Sequence, residues 1–210
     1  EGSRKSIGWI RNYVDGFQSM DVKNATSRSK RVLVITGDPI GNKMAGPAIR
    51  AMAIVRHLPS RYEVKLVSLS AVEVGVQGID CSYVAFNDER SMRLLVDWCD
   101  IVIVQGLALH YFSSIRLTRK ILVVDAYAPM VLEQLEQGRA MSTDSWIYRV
   151  RDAAALTNEQ LLRADHILCA SDRQRMFYLG QLATLGRLNP QNYANDPEFA
   201  DLISIVPLDR

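Results

Sequence analysis

The feature that most constrains this chain is a series of seven short apolar runs, separated by segments with helical periodicity. The runs lie at 31–36, 63–69, 81–86, 100–106, 120–126, 165–171 and 202–206. Helical patterns lie near 46–58, 88–98, 128–137, 157–164 and 172–184. Strands that are apolar on both faces and alternate with helices are typical of a parallel sheet covered on both sides. The sequence therefore predicts an α/β fold, a doubly wound Rossmann-like parallel sheet of about seven strands with helices on both faces.

The first thirty residues differ in character from the rest. Apolar side chains recur there at helical spacing, at Ile7, Ile10, Tyr13, Val14 and Phe17. A polar stretch, 23–30, follows and has the composition of a linker. We expect 1–30 to be a helix and linker, with the helix packed on the main domain, 31–210. A helix lying on a membrane surface is the alternative, but few positive charges are present to support it.

Composition argues against several classes of function. The 210 residues carry a net charge of +2, so nucleic acid is not an expected partner. No apolar run reaches the roughly 18 residues of a membrane span, and the N-terminus has no signal sequence. We therefore expect a cytoplasmic protein with at most peripheral membrane contact. The three cysteines have no paired spacing and predict buried, reduced thiols, and the three scattered histidines predict no metal site.

The loop after the first strand, GDPIGNKMAG, has the glycine content of a phosphate-binding loop but matches neither common nucleotide motif. Gly41 and Gly46 have the P-loop spacing, but Pro47 and Ala48 stand where a lysine and a hydroxyl are required. The spacing GxGxxG is missing, and the second strand ends without an acid to hold a ribose. The sequence therefore argues against a P-loop ATPase and against an NAD-dependent dehydrogenase.

The start of the following helix predicts an anion site. Gly46 fits the N-cap position and Pro47 the first helical position, where the missing N–H costs nothing. The free N–H groups of the first turn and the helix dipole favour an anion at this end. Ile49, Met52 and Ala53 are expected to face the sheet. Arg50 is a cation at the positive end of the helix, which suits a bound anion; a surface arginine paired with a carboxylate is the alternative.

Five segments, in this order along the chain, resemble one known family. They are GDPIGNKMAGPAIRA, DIVIVQGLALHYF, ILVVDAYAPMVLEQLE, ADHILCASDRQRMFYLGQL and ADLISIVPLDR. Together they are similar to the N-terminal domain of retaining glycosyltransferases with the GT-B fold, of the large group 1 class (family four). The resemblance covers residues 31–210.

The resemblance implies an enzyme of two Rossmann-like domains that face each other across a cleft. The N-terminal domain holds a carbohydrate or lipid acceptor, and the C-terminal domain holds the nucleotide-sugar donor. Transfer retains the anomeric configuration without a metal or other cofactor, and basic side chains and helix N-termini stabilise the leaving diphosphate. The loop after the first strand would then meet the donor phosphates from the opposite side of the cleft.

The same resemblance assigns roles in the first half of the domain. Gly46 and its neighbours would offer backbone N–H groups to the phosphates or to the reacting sugar. Arg50 would contact the phosphate or the acceptor, or would organise the loop. Gly106 and His110 would line the acceptor side, whereas His57 and His166 are expected to be structural.

In the second half, many relatives have a histidine at the end of the fifth strand, where this chain has Asp125 followed by Tyr127. Asp125 is therefore the candidate catalytic residue, with a carboxylate capping a backbone turn as the alternative. Tyr127 is a candidate substrate contact. Ser171 is expected to cap the next helix. At least one side chain in the first turns of that helix should face the cleft; Arg173 and Gln174 are the candidates for substrate binding, and Arg175 lies beside them.

No donor-domain motif is present before Arg210, so we expect the second domain to be absent and this part alone to be inactive. We also expect Met44, Tyr111 and Phe112 to be exposed where that domain would pack. The expected partners are a nucleotide-sugar donor, an acceptor and the C-terminal domain. The alternative function is a non-catalytic Rossmann-like module that binds an anion or a protein, and a third is a sugar-nucleotide epimerase of similar architecture.

Overall fold

A computed structural model describes residues 29–73 and 78–207 of the chain. Within these ranges seven strands form one sheet: β1 (Arg31–Thr36), β2 (Glu63–Ser68), β3 (Asp80–Tyr83), β4 (Ile101–Gln105), β5 (Ile121–Asp125), β6 (His166–Cys169) and β7 (Ile203–Ile205). Their order is β3-β2-β1-β4-β5-β6-β7. β1 pairs in parallel with β2 and β4, β2 with β3, and β6 with β7. The predicted Rossmann-like α/β fold is confirmed.

The helices of the described ranges are α1 (Gly46–His57), α2 (Glu89–Trp98), α3 (Ala108–Tyr111), α4 (Ser113–Arg116), α5 (Met130–Gln137), α6 (Thr143–Arg163), α7 (Asp172–Thr184) and α8 (Pro190–Asn195). Helix α6 begins well before the predicted start at residue 157. The first half was missed although Trp146 and Val150 recur there at helical spacing; both are half-buried, and the fully buried residues of the helix all lie from Ala153 onward. The short helices α3, α4 and α8 were not predicted, because their four, four and six residues are too few to show a helical period.

The chain forms two compact units. Of the described residues, the first unit contains those up to Val123 and again from Val206, and the second is Val124–Ile205. In the first unit, every residue of β4 is buried, as are all but the first residue of β1. In the second, β6 is buried throughout, and Leu161 and Leu182 are fully buried as well. Each large aliphatic side chain buried in this way contributes about 1.5–3 kcal/mol.

Helix α1 differs from its predicted form in two respects. Its N-cap is Ala45, one residue earlier than predicted, which makes Gly46 the first helical residue. Its buried stripe includes Ala48, Ala51 and Met52, whereas Ile49 is 48% exposed. Of the three residues predicted to face the sheet, Met52 is therefore buried, Ala53 is half-buried and Ile49 is exposed.

Two further expectations concern the exposure of Tyr111 and Phe112 and the helix near the N-terminus. Phe112, predicted to be exposed, is fully buried between α3 and α4, while Tyr111 beside it is 44% exposed. The predicted helix in 1–30 lies outside the described residues. Within 29–73 and 78–207, no helix combines the length and the apolar character needed to cross a bilayer.

Candidate functional site

The order of the strands reverses between β1 and β4, and both strands belong to the first unit. In doubly wound sheets, ligands bind in the crevice at the carboxyl ends of such strands. The last residues of β1, β2 and β4 are polar although they are buried, namely Thr36, Ser68 and Gln105. The carboxyl edge of the first unit is therefore a polar edge on an otherwise apolar core, as a binding site requires.

The loop that leaves β1 is held by side chains that follow β2. The Ser68 hydroxyl donates to the Asp38 carbonyl at 2.8 Å, and the Ser70 hydroxyl donates to the Gly37 carbonyl at 2.5 Å. These bonds use backbone carbonyls of the loop as acceptors. They leave the loop in one conformation, which is what a preorganised site needs.

Further along, the same loop pairs with the connection between β2 and β3. The Ile40 N–H donates to the Ala71 carbonyl at 2.9 Å, and the Glu73 N–H donates back to the Ile40 carbonyl at 2.8 Å. The Glu73 carboxylate accepts the Asn42 N–H at 2.7 Å. A Cβ atom on Gly41 would lie 2.4 Å from that carboxylate, so only glycine leaves room for this contact.

Helix α1 begins directly after this loop with an uncapped N-terminus. Ala45 provides no side-chain hydrogen bond, and the first turn contains no acidic residue. Pro47 has no N–H, so the first-turn donors are the N–H groups of Gly46 and Ala48, which have no intrahelical acceptor. A Cβ on Gly46 would meet nothing within 4 Å, so the space beside its Cα is open. Open donors at the positive end of a helix dipole favour an anion.

Arg50 lies on α1 but does not point to solvent. Its side chain is buried, and Nη1 donates to the Val206 carbonyl at 2.5 Å. The alternative of a surface arginine is therefore wrong. The guanidinium ties α1 to the part of the chain that rejoins the first unit. The expected contact with a phosphate or an acceptor and the expected organisation of the loop stay predictions.

The loop after β4 turns sharply at Gly106, whose φ is +58°. This left-handed conformation strains any residue with a Cβ atom. The turn leads into α3, which carries the exposed side chains of His110 and Tyr111. The imidazole and phenol rings meet edge to face with 5.6 Å between their centroids. Gly106 and His110 are therefore placed at the carboxyl edge of the first unit, as predicted.

Glu89, which the sequence analysis did not single out, fixes this segment from α2. Its carboxylate accepts the N–H groups of Ser113 and Ser114, at 2.9 and 2.8 Å, and so caps α4. Burial alone would raise the pKa of Glu89, but these hydrogen bonds outweigh it and hold the pKa below its usual value. The cap links residues 24 and 25 positions apart, and no local pattern reveals it.

Replacing Glu89 by glutamine is expected to lower the free energy of unfolding by about 1 kcal/mol, because only one amide oxygen remains for two N–H donors. The stabilisation from the carboxylate should be present above its unfolded pKa and should be lost as the pH falls through its lower folded pKa. Urea denaturation at neutral and acidic pH measures both effects. Arg93→Gln is the control, since it removes only the 3.7 Å ion pair with Glu89; equal losses in both variants would contradict the capping role.

The second unit contains the other predicted residues. Asp125 ends β5 and is 2% exposed. The Gln174 amide group donates to the Tyr127 carbonyl at 2.8 Å, and its oxygen accepts the Ala170 N–H at 2.7 Å. Both ends of the Gln174 side chain thus hold the loops after β5 and β6 together. This arrangement makes Gln174 a positioning residue for Tyr127.

Helix α7 begins as predicted. The Ser171 hydroxyl accepts the Gln174 N–H at 3.3 Å, which confirms Ser171 as the N-cap. Arg173 in the first turn is exposed. Arg175 instead donates to the carbonyls of Ile203, at 3.4 Å, and of Glu198. Of the two arginines, Arg173 is therefore the one available to a ligand.

The thiols agree with the prediction for two of the three cysteines. All three are free; Cys99 and Cys169 are buried, and Cys81 is half-buried. Burial raises the pKa of Cys99 to about 12, so its thiol stays protonated and unreactive. Among the residues that the structure describes, no three His, Cys, Asp or Glu side chains are grouped to hold a metal ion.

No protein-family model matches the sequence, and no curated protein matches it. Among solved structures, the chain is similar to an alpha-glucosyltransferase in complex with UDP-glucose and DNA containing an abasic site, at 17% identity and a TM-score of 0.43, over 68% of this chain and 36% of that chain. An alpha-glucosyltransferase in complex with UDP and a 13-mer DNA matches at 17% identity and 0.45, over 69% and 37%. A short-chain dehydrogenase/reductase from Veillonella parvula matches at 10% identity and 0.43, over 68% and 69%.

The chain spans little more than a third of the glucosyltransferase chains. A transferase and a dehydrogenase match it with similar scores, so these likenesses do not select a function. They do correct one prediction. The glucosyltransferases are in complex with DNA as well as with UDP or UDP-glucose, so the expectation that nucleic acid is not a partner is wrong as an exclusion. Net charge is a sum over the whole chain and does not report a local binding surface.

Proposed function

We propose that this chain is the acceptor-side domain of a glycosyltransferase, which moves a hexosyl group from a nucleotide-sugar donor to an acceptor with retention of configuration. The observation that carries the proposal is the open N-terminus of α1 beside the β1 loop, at the point where strand order reverses. The order of the family-like segments along the chain supports it independently. Synthesis of a cell-envelope polysaccharide is the pathway class that we propose for it, in the cytoplasm.

In the proposed reaction, the bond between the anomeric carbon and the diphosphate oxygen breaks, and a bond from that carbon to an acceptor oxygen forms. Negative charge develops on the departing diphosphate as its bond breaks, and an oxygen of that diphosphate takes up the proton that the acceptor hydroxyl loses. The N–H groups of Gly46 and Ala48, with the helix dipole, would stabilise this charge as it develops. Lys43, exposed in the same loop, would add a positive charge.

The remaining roles belong to the same proposal. Gly106 and His110 would line the acceptor side of the first unit, and Arg50 would hold α1 in place from its buried position. In the second unit, Asp125 is the proposed catalytic carboxylate, and Tyr127 and Arg173 the proposed substrate contacts. The donor is a substrate, and the proposal invokes no metal or other cofactor.

Calorimetric titration with UDP-, GDP- and ADP-sugars tests the proposal on this chain and on a chain that also includes a following domain. We expect weak or no binding to the 210 residues alone and clear binding, with sugar transfer, for the longer chain. A facing domain is needed because one wall of a cleft cannot position both substrates. Tight nucleotide binding by the 210 residues alone would instead favour an autonomous anion-binding module. Failure of the longer chain to bind any sugar nucleotide would reject the transferase.

A further inference from the structure

Two exposed aromatic rings meet at the carboxyl edge of the first unit. Phe86, in the loop after β3, is 60% exposed, and Tyr111, in α3, is 44% exposed. Their ring centroids lie 5.6 Å apart, and the ring planes are tilted by 44°. Large aromatic side chains are usually buried, because they bring much apolar surface to the core. A pair exposed together beside polar loops suits a ligand better than a core.

The pair is held in place by its surroundings. Phe86 lies three residues before Glu89, and Tyr111 lies two residues before Ser113, whose N–H the Glu89 carboxylate accepts at 2.9 Å. The Glu89 cap thus joins the two segments that carry the rings. The backbone segments that carry the rings are thereby joined, which lowers the cost of ordering the rings around a ligand.

The pair is also continuous with the predicted acceptor side. The imidazole of His110 contacts the Tyr111 ring edge to face, with 5.6 Å between the centroids. His110 follows Gly106 by four residues, on the segment that leaves β4. The apolar ring pair therefore has polar groups at its border, the imidazole and the Tyr111 hydroxyl.

We propose that Phe86 and Tyr111 form a stacking subsite for a pyranose ring of the acceptor, with His110 at its edge. This inference rests on the proposed function, since it names the acceptor as a carbohydrate. The C–H bonds on one face of a pyranose carry small positive charges, which the negative face of an aromatic ring attracts. The hydroxyl groups around the sugar then need hydrogen-bond partners, which the imidazole and the phenol can provide.

The tilt between the rings favours a sugar over a nucleobase. A base is flat and stacks fully on one ring at a time, as on the aromatic platforms of single-strand-binding proteins. Rings inclined at 44° cannot both lie parallel to one flat ligand. A puckered pyranose presents axial and equatorial C–H bonds in different directions and can contact both rings.

Ligand-observed NMR on the 210-residue chain tests the subsite, with methyl glucoside, methyl galactoside and methyl mannoside as probes. We expect saturation transfer to at least one glycoside, and about fivefold weaker binding in Phe86→Ala and in Tyr111→Ala. Tyr111→Phe keeps the ring and should retain most of the affinity. Tyr148→Ala is the matched control, since Tyr148 is an exposed aromatic residue, 71% accessible, on α6.

Three results would overturn the inference: no glycoside binding to the wild-type chain, equal binding by the alanine variants that remain folded, or a preference of the same rings for uridine or thymidine over every glycoside. Thermal denaturation of each variant separates loss of the subsite from loss of the fold. Glycoside binding at the rings, without sugar-nucleotide binding by the longer chain, would leave the subsite standing and reject the transferase. The reverse outcome would reject the subsite alone.

Discussion

Acidification from pH 6.5 to pH 4 is expected to lower the free energy of unfolding by about 3 kcal/mol through His166 alone. His166 begins β6 with a fully buried side chain, and its Nδ1 lies 2.7 Å from the Asp201 carbonyl. Burial lowers the pKa of His166 from 6.5 to about 4, although the hydrogen bond to the Asp201 carbonyl acts in the opposite direction. The imidazole is therefore neutral in the folded protein at a pH where it is already protonated in the unfolded chain.

The direction of the change in stability follows from which state, folded or unfolded, binds the proton at the higher pH. As the pH falls below 6.5, the unfolded state takes up a proton that the folded state accepts only near pH 4. Stability should fall across this window and then level off below it. Urea denaturation at half-unit pH steps measures the slope.

His166→Asn supplies the matched comparison, because its amide can still donate to the Asp201 carbonyl but does not titrate. The difference in unfolding free energy between wild type and variant should change by about 3 kcal/mol between pH 6.5 and pH 4. His57→Asn serves as the control on an exposed histidine, whose Nδ1 lies 2.7 Å from the Ala53 carbonyl. A difference that stays constant with pH would contradict the assignment to His166.

Gly46→Asp should stabilise the fold and weaken anion binding at the same time. A carboxylate in the first turn of α1 interacts favourably with the helix dipole and should add about 0.5 kcal/mol of stability. The same charge would repel a diphosphate held by the Gly46 and Ala48 N–H groups. At a separation of several ångströms, this repulsion corresponds to a loss of affinity of roughly tenfold or more at low salt.

A gain in stability together with a loss of anion affinity would show that the aspartate acts on the bound anion and does not damage the fold. Calorimetry with UDP and inorganic pyrophosphate measures the affinity, and thermal denaturation measures the stability, both in a chain extended by the proposed facing domain. Gly46→Ala is the uncharged control, since a Cβ there meets nothing within 4 Å, and it should leave affinity almost unchanged. Unaltered pyrophosphate affinity in Gly46→Asp would remove the α1 N-terminus from the proposed site.

Local patterns predicted the parts of the fold that local forces determine. β1 was predicted to the residue because its apolar run is continuous, and Ser171 because an N-cap depends on the three residues that follow it. The buried face of α1 was predicted only in part: Met52 was identified, whereas Ala48 and Ala51, which pack there without large side chains, were not. Phe112 was missed because a short helix shows too few residues for a period to appear.

The candidate site was predicted less completely, since distant segments build it. The Glu73 carboxylate reaches Asn42 from 31 residues away, and the Glu89 cap and the ring pair join loops that follow different strands. A single sequence carries no signal for such contacts. The place of the site at the carboxyl edge was predictable, because it follows from the parallel sheet itself.

The hydrogen bond from Arg50 to the Val206 carbonyl has a consequence for the order in which the protein forms. The acceptor lies 156 residues after the donor, so α1 emerges from the ribosome long before Val206 is synthesised. The first unit can collapse around β1, β2 and β4 during synthesis, but its helix cannot make this bond until the whole second unit has emerged. This contact of the first unit therefore forms only after synthesis of the second unit is complete.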